Sequence, residues 1–319
     1  MAGKIEKGLQ NRYIKTVAAA GRGSARMGYA LSLLYTGCCD KLCIIDNDLS
    51  RAGGEAADLG EAAALIGSYI SVDAGSCETA ANADIFAVFG EDRGGGEEVD
   101  AFMQRSAGEV CQTIRSALKS GFDGILLVAA EPVDITTFAA LRESGFPPER
   151  VIGIGTCAVT AALRRTLGDY FEVSPRDINA YVMGEHGNSG FIPWSQAMIG
   201  TKPILEVCED YPSKFRFDEI ITIADSIRRI DSNSVASFGG AAAAAGITCA
   251  IFSDENSILT VSAFLRGEYG QSGVCAALPC IIGRSGIKSK IRLPLHEYEF
   301  GLMDDSCRIL KRAVLSLDG

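Results

Sequence analysis

Two glycines and an aspartate carry the most specific chemical pattern in the chain. Gly21 and Gly23 follow the apolar run that ends at Ala20, and Asp46 closes the next one, Leu42 to Ile45. A Gly-rich turn between a strand and a helix, with an acidic residue about 20 positions further on, is the arrangement that holds a dinucleotide. The first glycine allows the tight turn, the second lets backbone approach a pyrophosphate, and the carboxylate accepts hydrogen bonds from the adenosine ribose. A carboxylate repels a 2′-phosphate, so NAD is expected over NADP. The third small position is Arg26, where helix and strand must pack closely. Arg26 either joins Arg22 on the pyrophosphate or fills its own site, and it lowers the affinity to be expected.

Other chemistries are excluded more readily. The 11 cysteines are an odd, scattered set with no Cys-x-x-Cys pair, and Cys38-Cys39-x-x-x-Cys43 lacks zinc-site spacing. With only His186 and His296 in the sequence, a histidine-rich metal centre is not expected. Reduced thiols fit a cytoplasmic protein. The stretch from Met1 to Lys15 is studded with charges and has no apolar stretch before a cleavage site, so a secretory signal is not expected. A net charge of −10 argues against nucleic acid or an anionic membrane surface as the main partner. No apolar run approaches the roughly 20 residues that span a bilayer.

The elements that must position these groups follow from periodicity. With 319 residues, the chain is long enough for two domains. Strand and helix signals alternate through the first half, the pattern of a doubly wound parallel sheet covered by helices on both faces. Strands are predicted at Tyr13 to Ala20, Leu42 to Ile45, Tyr69 to Val72, Asp84 to Phe89 and Gly124 to Ala129. Helices are predicted over Met27 to Tyr35, Val99 to Lys119 and, opened by Pro132, Val133 to Arg142. Gly90 to Glu98, with Gly94-Gly95-Gly96 at its centre, is either a lid or a solvated loop. Beyond Thr156 the pattern becomes mixed α/β. A helix after Thr156, strands at Ile178 to Met183, Val274 to Ile282 and Ile291 to Leu295, and helices over Ala241 to Phe252 and from Glu297 are expected. The predicted division is 1–155, binding the dinucleotide, and 156–319, holding the substrate.

Ordered segments along nearly the whole chain resemble the L-lactate dehydrogenase branch of the lactate/malate dehydrogenase family. They include Gly21-Arg22-Gly23, Ile44-Ile45-Asp46, Pro132-Val133-Asp134-Ile135 and Arg150-Val151-Ile152-Gly153-Ile154-Gly155-Thr156. The most specific are Gly184-Glu185-His186-Gly187-Asn188-Ser189, Glu255 to Ala263 and Leu278-Pro279-Cys280-Ile281-Ile282-Gly283. The resemblance implies a Rossmann-type domain followed by a mixed α/β substrate domain, a homotetramer or dimer, and hydride transfer between NADH and a 2-oxo acid. His186 matches the family's proton donor. The aspartate that orients that histidine is matched by Val159, the arginine that forks onto the substrate carboxylate by Ala162, and the carbonyl-polarising arginine of the lid by Val99. Glu131 stands for the strand-end asparagine and Ala236 for a pocket threonine, while Arg93 matches the lid position that reads a second carboxylate in malate enzymes. Arg164 matches half of an allosteric sugar-phosphate site, whose other half is Asn179 here. Trp194 is expected to pack.

Losing a buried bidentate arginine costs about 2–5 kcal/mol, and losing an oxyanion donor about 2.7–4 kcal/mol. Efficient lactate or malate turnover is therefore not expected. Two readings follow. One is an oxidoreductase of altered specificity, in which Glu131 pairs with His186 in place of the aspartate, or meets a neutral or cationic carbonyl or imine. The other is an inactive relative serving as a regulatory or oligomeric subunit.

Overall fold

A computed structural model describes residues 13–91, 93–223 and 238–317. Six parallel strands, β1 (Thr16–Ala20), β2 (Lys41–Ile45), β3 (Ser71–Gly75), β4 (Ile85–Val88), β5 (Ile125–Val128) and β6 (Val151–Gly153), run in the order 3-2-1-4-5-6. The two halves diverge from β1 and β4, so the carboxyl ends of β1, β2, β4 and β5 frame the crevice in which ligands of such sheets bind. Strands β1, β4, β5 and β6 are buried almost throughout, as expected of a sheet covered on both faces.

Helices α1 (Ser24–Thr36), α2 (Leu49–Ile66), α3 (Val99–Lys119) and α4 (Val133–Ser144) connect these strands, and α5 (Cys157–Phe171) follows β6. The second half adds β7 (Ile178–Asn179), β8 (Met198–Ile199) and β9 (Lys202–Pro203) as a small antiparallel sheet, then α6 (Ile204–Asp210) and α7 (Phe238–Ser253). The long strands β10 (Ser257–Arg266), β11 (Ser272–Gly283) and β12 (Gly286–Lys290) come next, and α8 (Glu297–Leu315) closes the chain. Antiparallel β10 joins the parallel sheet at its β6 edge through Ser262 opposite Gly153, so one nine-stranded sheet carries both halves. The alanine run of α7 lets it approach α1 closely: a Cβ on Gly28 would lie 3.1 Å from the Ala241 Cβ. The chain thus has a parallel, Rossmann-like core with helices and a C-terminal α/β part.

Four expected strands differ from the structure. The first begins at Thr16 instead of Tyr13, with Tyr13 and Ile14 exposed. The Tyr69 segment begins at Ser71 instead, and Tyr69 itself is fully exposed. Of Ile178 to Met183, only Ile178–Asn179 pairs as a strand. The backbone beyond it is taken by side chains of α5 and of Thr156 just before it: Arg164 donates to the Ala180 carbonyl, the Val182 N–H donates to the Thr160 hydroxyl, and Thr156 donates to the Val182 carbonyl. Ile291 to Leu295 is irregular, because the tight turn at Gly283–Gly286 places the pairing strand earlier, at Gly286–Lys290. Beyond it, the Ile291 N–H still reaches the Pro279 carbonyl, and the Leu293 N–H ends on the Tyr269 hydroxyl. Among the described residues, no helix is long and apolar enough to cross a membrane.

Candidate functional site

The nucleotide corner forms where β1 turns into α1. Gly21 has φ +104°, and a Cβ there would fall 1.8 Å from the Phe89 carbonyl oxygen, so only glycine lets the turn after β1 pass this close to the backbone after β4. Gly23, at φ +100°, is the N-cap of α1 and has no side chain to cap the first turn. The opening N–H groups of α1 thus point at the position a pyrophosphate takes. This cradle fits the phosphates of a dinucleotide.

The adenosine side of the corner is built differently from the sequence expectation. Arg26 is 1% exposed and turns inward. Its Nη1 donates to the Ile45 carbonyl at 3.0 Å and lies 3.7 Å from Asp46 Oδ2, and its Nη2 is paired with Glu55. Of the two roles open to Arg26, filling its own site is the one the structure takes, while Arg22 stays at the surface, paired with Glu91. Asp46 is crowded. Its Oδ1 accepts the Asp48 N–H at 2.9 Å, and its Oδ2 accepts Nε and Nη2 of Arg51 at 3.1 and 2.5 Å. Burial alone would raise the Asp46 pKa, but the Arg51 and Asp48 hydrogen bonds and the two guanidinium charges outweigh it and hold it below the ordinary value.

The second corner lies at the carboxyl end of β5. Glu131 follows the strand, its backbone carbonyl accepting from the Ser106 hydroxyl and its Oε2 accepting the Val133 N–H at the start of α4. The same Oε2 is 3.3 Å from Nδ1 of His186. His186 sits on a turn fixed at several points. Gly184 exchanges backbone hydrogen bonds with Ala277 of β11, Met183 exchanges them with Phe191, and the Glu185 N–H donates to Ser306. The His186 N–H donates to Oδ2 of Asp134 at 2.6 Å, and the other Asp134 oxygen accepts from the Ser262 hydroxyl. Burial pushes the Asp134 carboxyl up to about 6, with the Ser262 and His186 donors only partly offsetting it.

The remaining expected residues sit on other segments of the chain. Arg93 is exposed on the loop before α3. Nearby Glu97 is held well below the usual carboxylate range by its hydrogen bond from Arg105, with help from the Gly94 N–H and the Arg93 charge. Val99 opens α3 and is 57% exposed. Val159 is buried in an apolar cluster with Leu163, Val182 and Ile192, against which Ala162 packs. Arg164 stacks on Tyr181, Asn179 reaches the Gly200 carbonyl, and Trp194 packs edge-on against Phe217. Ala236 lies outside the described residues. Among those described, no group of three or more His, Cys, Asp or Glu side chains is gathered to hold a metal. A separate cavity of 450 Å³, lined by Tyr13, Asp84, Arg150 and Arg284 among others, opens at the opposite end of the strands.

Sequence reasoning missed Asp134, Ser262, Arg51 and Glu55. Asp134 in the first turn of a helix reads as an ordinary dipole-matching charge, and only its burial marks it out. Arg51 and Glu55, four positions apart on α2, read as a solvated ion pair.

Comparison with known proteins places these observations in one family. The profile of the lactate/malate dehydrogenase NAD binding domain matches residues 15–153, and that of the lactate/malate dehydrogenase alpha/beta C-terminal domain matches residues 160–316. An L-lactate dehydrogenase of Oceanobacillus iheyensis is 38% identical over 303 residues, covering 93% of this chain and 94% of its own. L-lactate dehydrogenase 2 of Enterococcus faecalis is 35% identical, covering 95% and 97%. Among solved structures, a lactate dehydrogenase from a Medee basin deep-sea metagenome library superposes with a TM-score of 0.91 at 32% identity, over 97% of this chain and 100% of that one. The malate dehydrogenase of Aeropyrum pernix superposes at 0.86 with 28% identity, over 94% and 97%.

Proposed function

We propose that this chain, which belongs to the lactate/malate dehydrogenase family, moves a hydride between NAD(H) and a small carbonyl compound, with His186 as proton donor and Glu131 as the carboxylate that orients it. The observation that carries this reading is the 3.3 Å contact between Glu131 Oε2 and His186 Nδ1. An imidazole that donates from Nδ1 to a carboxylate keeps one tautomer and orientation, and its charged form is stabilised. Nε2 is then the nitrogen that gives a proton to the carbonyl oxygen. The cofactor, when bound in the Gly21–Gly23 cradle, supplies the hydride. The chain's own contribution is the proton, its position, and the closure of the turn around it by Asp134, Ser306 and Ala277.

The substrate differs from that of the named relatives. The residues matching the family's carboxylate-binding and carbonyl-polarising arginines, Ala162 and Val99, bring no cation, and Glu131 adds a negative charge beside His186. The site therefore favours neutral or amine-bearing carbonyls over pyruvate and oxaloacetate, whose turnover stays below about 1 per second, the low end of ordinary enzymes. Assembly as a homo-oligomer, tetramer or dimer, belongs to the same reading and is supported by the large exposed side chains Tyr35 on α1, Leu65 on α2 and Tyr69 beyond it; a cytoplasmic location is part of that reading too.

A second reading, an inactive subunit with a regulatory or assembly role, is favoured by the engagement of Asp46 with two arginines. NADH oxidation against a panel of small carbonyls separates the two readings. Turnover that falls by about 10²–10⁴ in His186→Gln is the expected result. No turnover of any member, together with no NADH quenching of Trp194 fluorescence up to millimolar, would leave the subunit reading standing.

A further inference from the structure

We propose that Arg51 decides how this chain reads the 2′ position of the adenosine ribose, and that it admits NADPH with an affinity comparable to that for NADH. The inference rests on the nicotinamide-dependent reading above and extends it to the cofactor's phosphorylation state.

An acid at the end of the second strand selects the unphosphorylated cofactor in two ways. Its oxygens accept hydrogen bonds from the ribose hydroxyls, and its charge repels a 2′-phosphate. Both depend on a carboxylate that faces the ligand and keeps its charge. Asp46 does neither. Its side chain is 4% exposed, Oδ1 is taken by the Asp48 N–H, and Oδ2 is forked by Nε and Nη2 of Arg51. Arg26, also buried, lies 3.7 Å away on the same oxygen. Arg26 and Arg51 thus stand among Asp46, Glu55 and Asp48, and with Arg26 engaged by Glu55 it is Arg51 that offsets the Asp46 charge before any ligand arrives.

Of the two, Arg51 is the one a ligand can meet. Arg26 has a side chain 1% exposed, pinned between the Ile45 carbonyl and Glu55. The Arg51 side chain is 36% exposed, on the first turn of α2, where the N-cap Asp48 holds the opening N–H groups. Two of its N–H groups are spent on Asp46, and the remaining donors of its planar fork are available at the rim. A guanidinium there matches a phosphate in charge and in bidentate geometry, and an arginine beside this acid is how dinucleotide sites accommodate a 2′-phosphate. The sequence-level expectation of NAD over NADP assumed an open carboxylate at Asp46, and Arg51 removes that premise.

Titration of the full chain with NADH and NADPH, followed by the nucleotide's own fluorescence and by Trp194 quenching, tests this directly. The wild type is expected to bind the two within about threefold of each other. Arg51→Ala uncovers Asp46 and removes the phosphate's partner, so its affinity for NADPH should fall at least tenfold while that for NADH holds or improves. Arg51→Lys, which keeps the charge and loses the fork, should fall between the two and guards against a folding defect in the alanine variant. A wild-type preference for NADH above about thirtyfold, or a ratio that Arg51→Ala leaves unchanged, would overturn the assignment while the dehydrogenase reading survives. Binding of neither nucleotide up to millimolar would remove both.

Discussion

Two buried aspartates, one in each corner of the crevice, are treated in opposite ways. Asp134 is 2% exposed and Asp46 7%, so both carry a large desolvation cost. Asp134 is met by neutral donors, the His186 N–H and the Ser262 hydroxyl, and burial wins: its carboxyl is raised to about 6. Asp46 is met by Arg51 and Arg26, and burial loses: its pKa falls below the usual value. Dipoles lower the cost of a buried charge without removing it, whereas a guanidinium within hydrogen-bond reach reverses the sign of the shift. The nucleotide corner is therefore held by fixed charge across the neutral range. The turn that carries His186 is held by a group whose ionisation is within reach of mildly acidic pH.

The charged corner gives the largest expected effect. Arg26→Met keeps much of the buried volume but strands Glu55 and removes one of the two cations on Asp46. Removing one member of a buried pair typically costs about 3–5 kcal/mol. Glu55 is 26% exposed and can turn to water, and Asp46 keeps Arg51, so the loss belongs at the low end, about 3 kcal/mol. Thermal unfolding should show a melting temperature several degrees lower. A melting curve that overlays the wild type would mean the cluster contributes nothing to stability and that the comparison drawn above fails on its charged side.

How far this was legible depended on sequence distance. The alternation that builds the parallel sheet was readable, and the bounds of α3, Val99 to Lys119, and the start of α8 at Glu297 follow from long, strongly periodic stretches. Gly21, Gly23 and Asp46 were readable as a pattern because turn, cradle and acid are local. The fate of Arg26 was not, since its alternatives differ only in where a flexible side chain goes once α2 brings Glu55 alongside. The Glu131–His186 pair was within reach as a hypothesis from Glu131 alone. Its support was not: Asp134 and Ser262 are 128 positions apart, and what marks them is burial. The short β7 and the irregular Ile291 to Leu295 escaped for a related reason, because side chains and a neighbouring hairpin claim backbone that local pattern assigns to strands.

The neutral corner predicts a pH signature of comparable size. Asp134 is raised from 3.8 to about 6, so the folded state holds its proton where the unfolded chain has released it. Its contribution is fully present below about pH 4 and is lost as pH rises through about 6. At about 1.4 kcal/mol per pKa unit, the loss is on the order of 3 kcal/mol. Asp134→Asn cannot ionise. Its carbonyl can still accept the His186 N–H, and its amide can donate to Ser262, whose hydroxyl turns to accept. The stability of the variant relative to wild type should therefore improve by about that amount between pH 4 and pH 8, measured by urea unfolding at each pH. A difference that stays constant with pH would show that Asp134 does not titrate in this window.

The smallest effect sharpens the comparison most, because it separates orientation from charge. Glu131 touches His186 but is 46% exposed at its side chain, so solvent screens it more than either aspartate. Glu131→Gln keeps an acceptor oxygen for Nδ1–H and for the Val133 N–H while removing the negative charge. A purely structural Glu131 would leave the relative rates of differently charged substrates untouched. A carboxylate that both steadies the imidazolium and sets the charge of the pocket predicts two changes together: turnover of a neutral carbonyl falls by about tenfold, equivalent to about 1.4 kcal/mol, and the ratio of kcat/KM for an anionic 2-oxo acid over that neutral carbonyl rises severalfold. Steady-state kinetics on one neutral and one anionic substrate read both. A lower rate with an unchanged ratio would confine Glu131 to holding the ring in place, and unchanged values for both would remove it from the site.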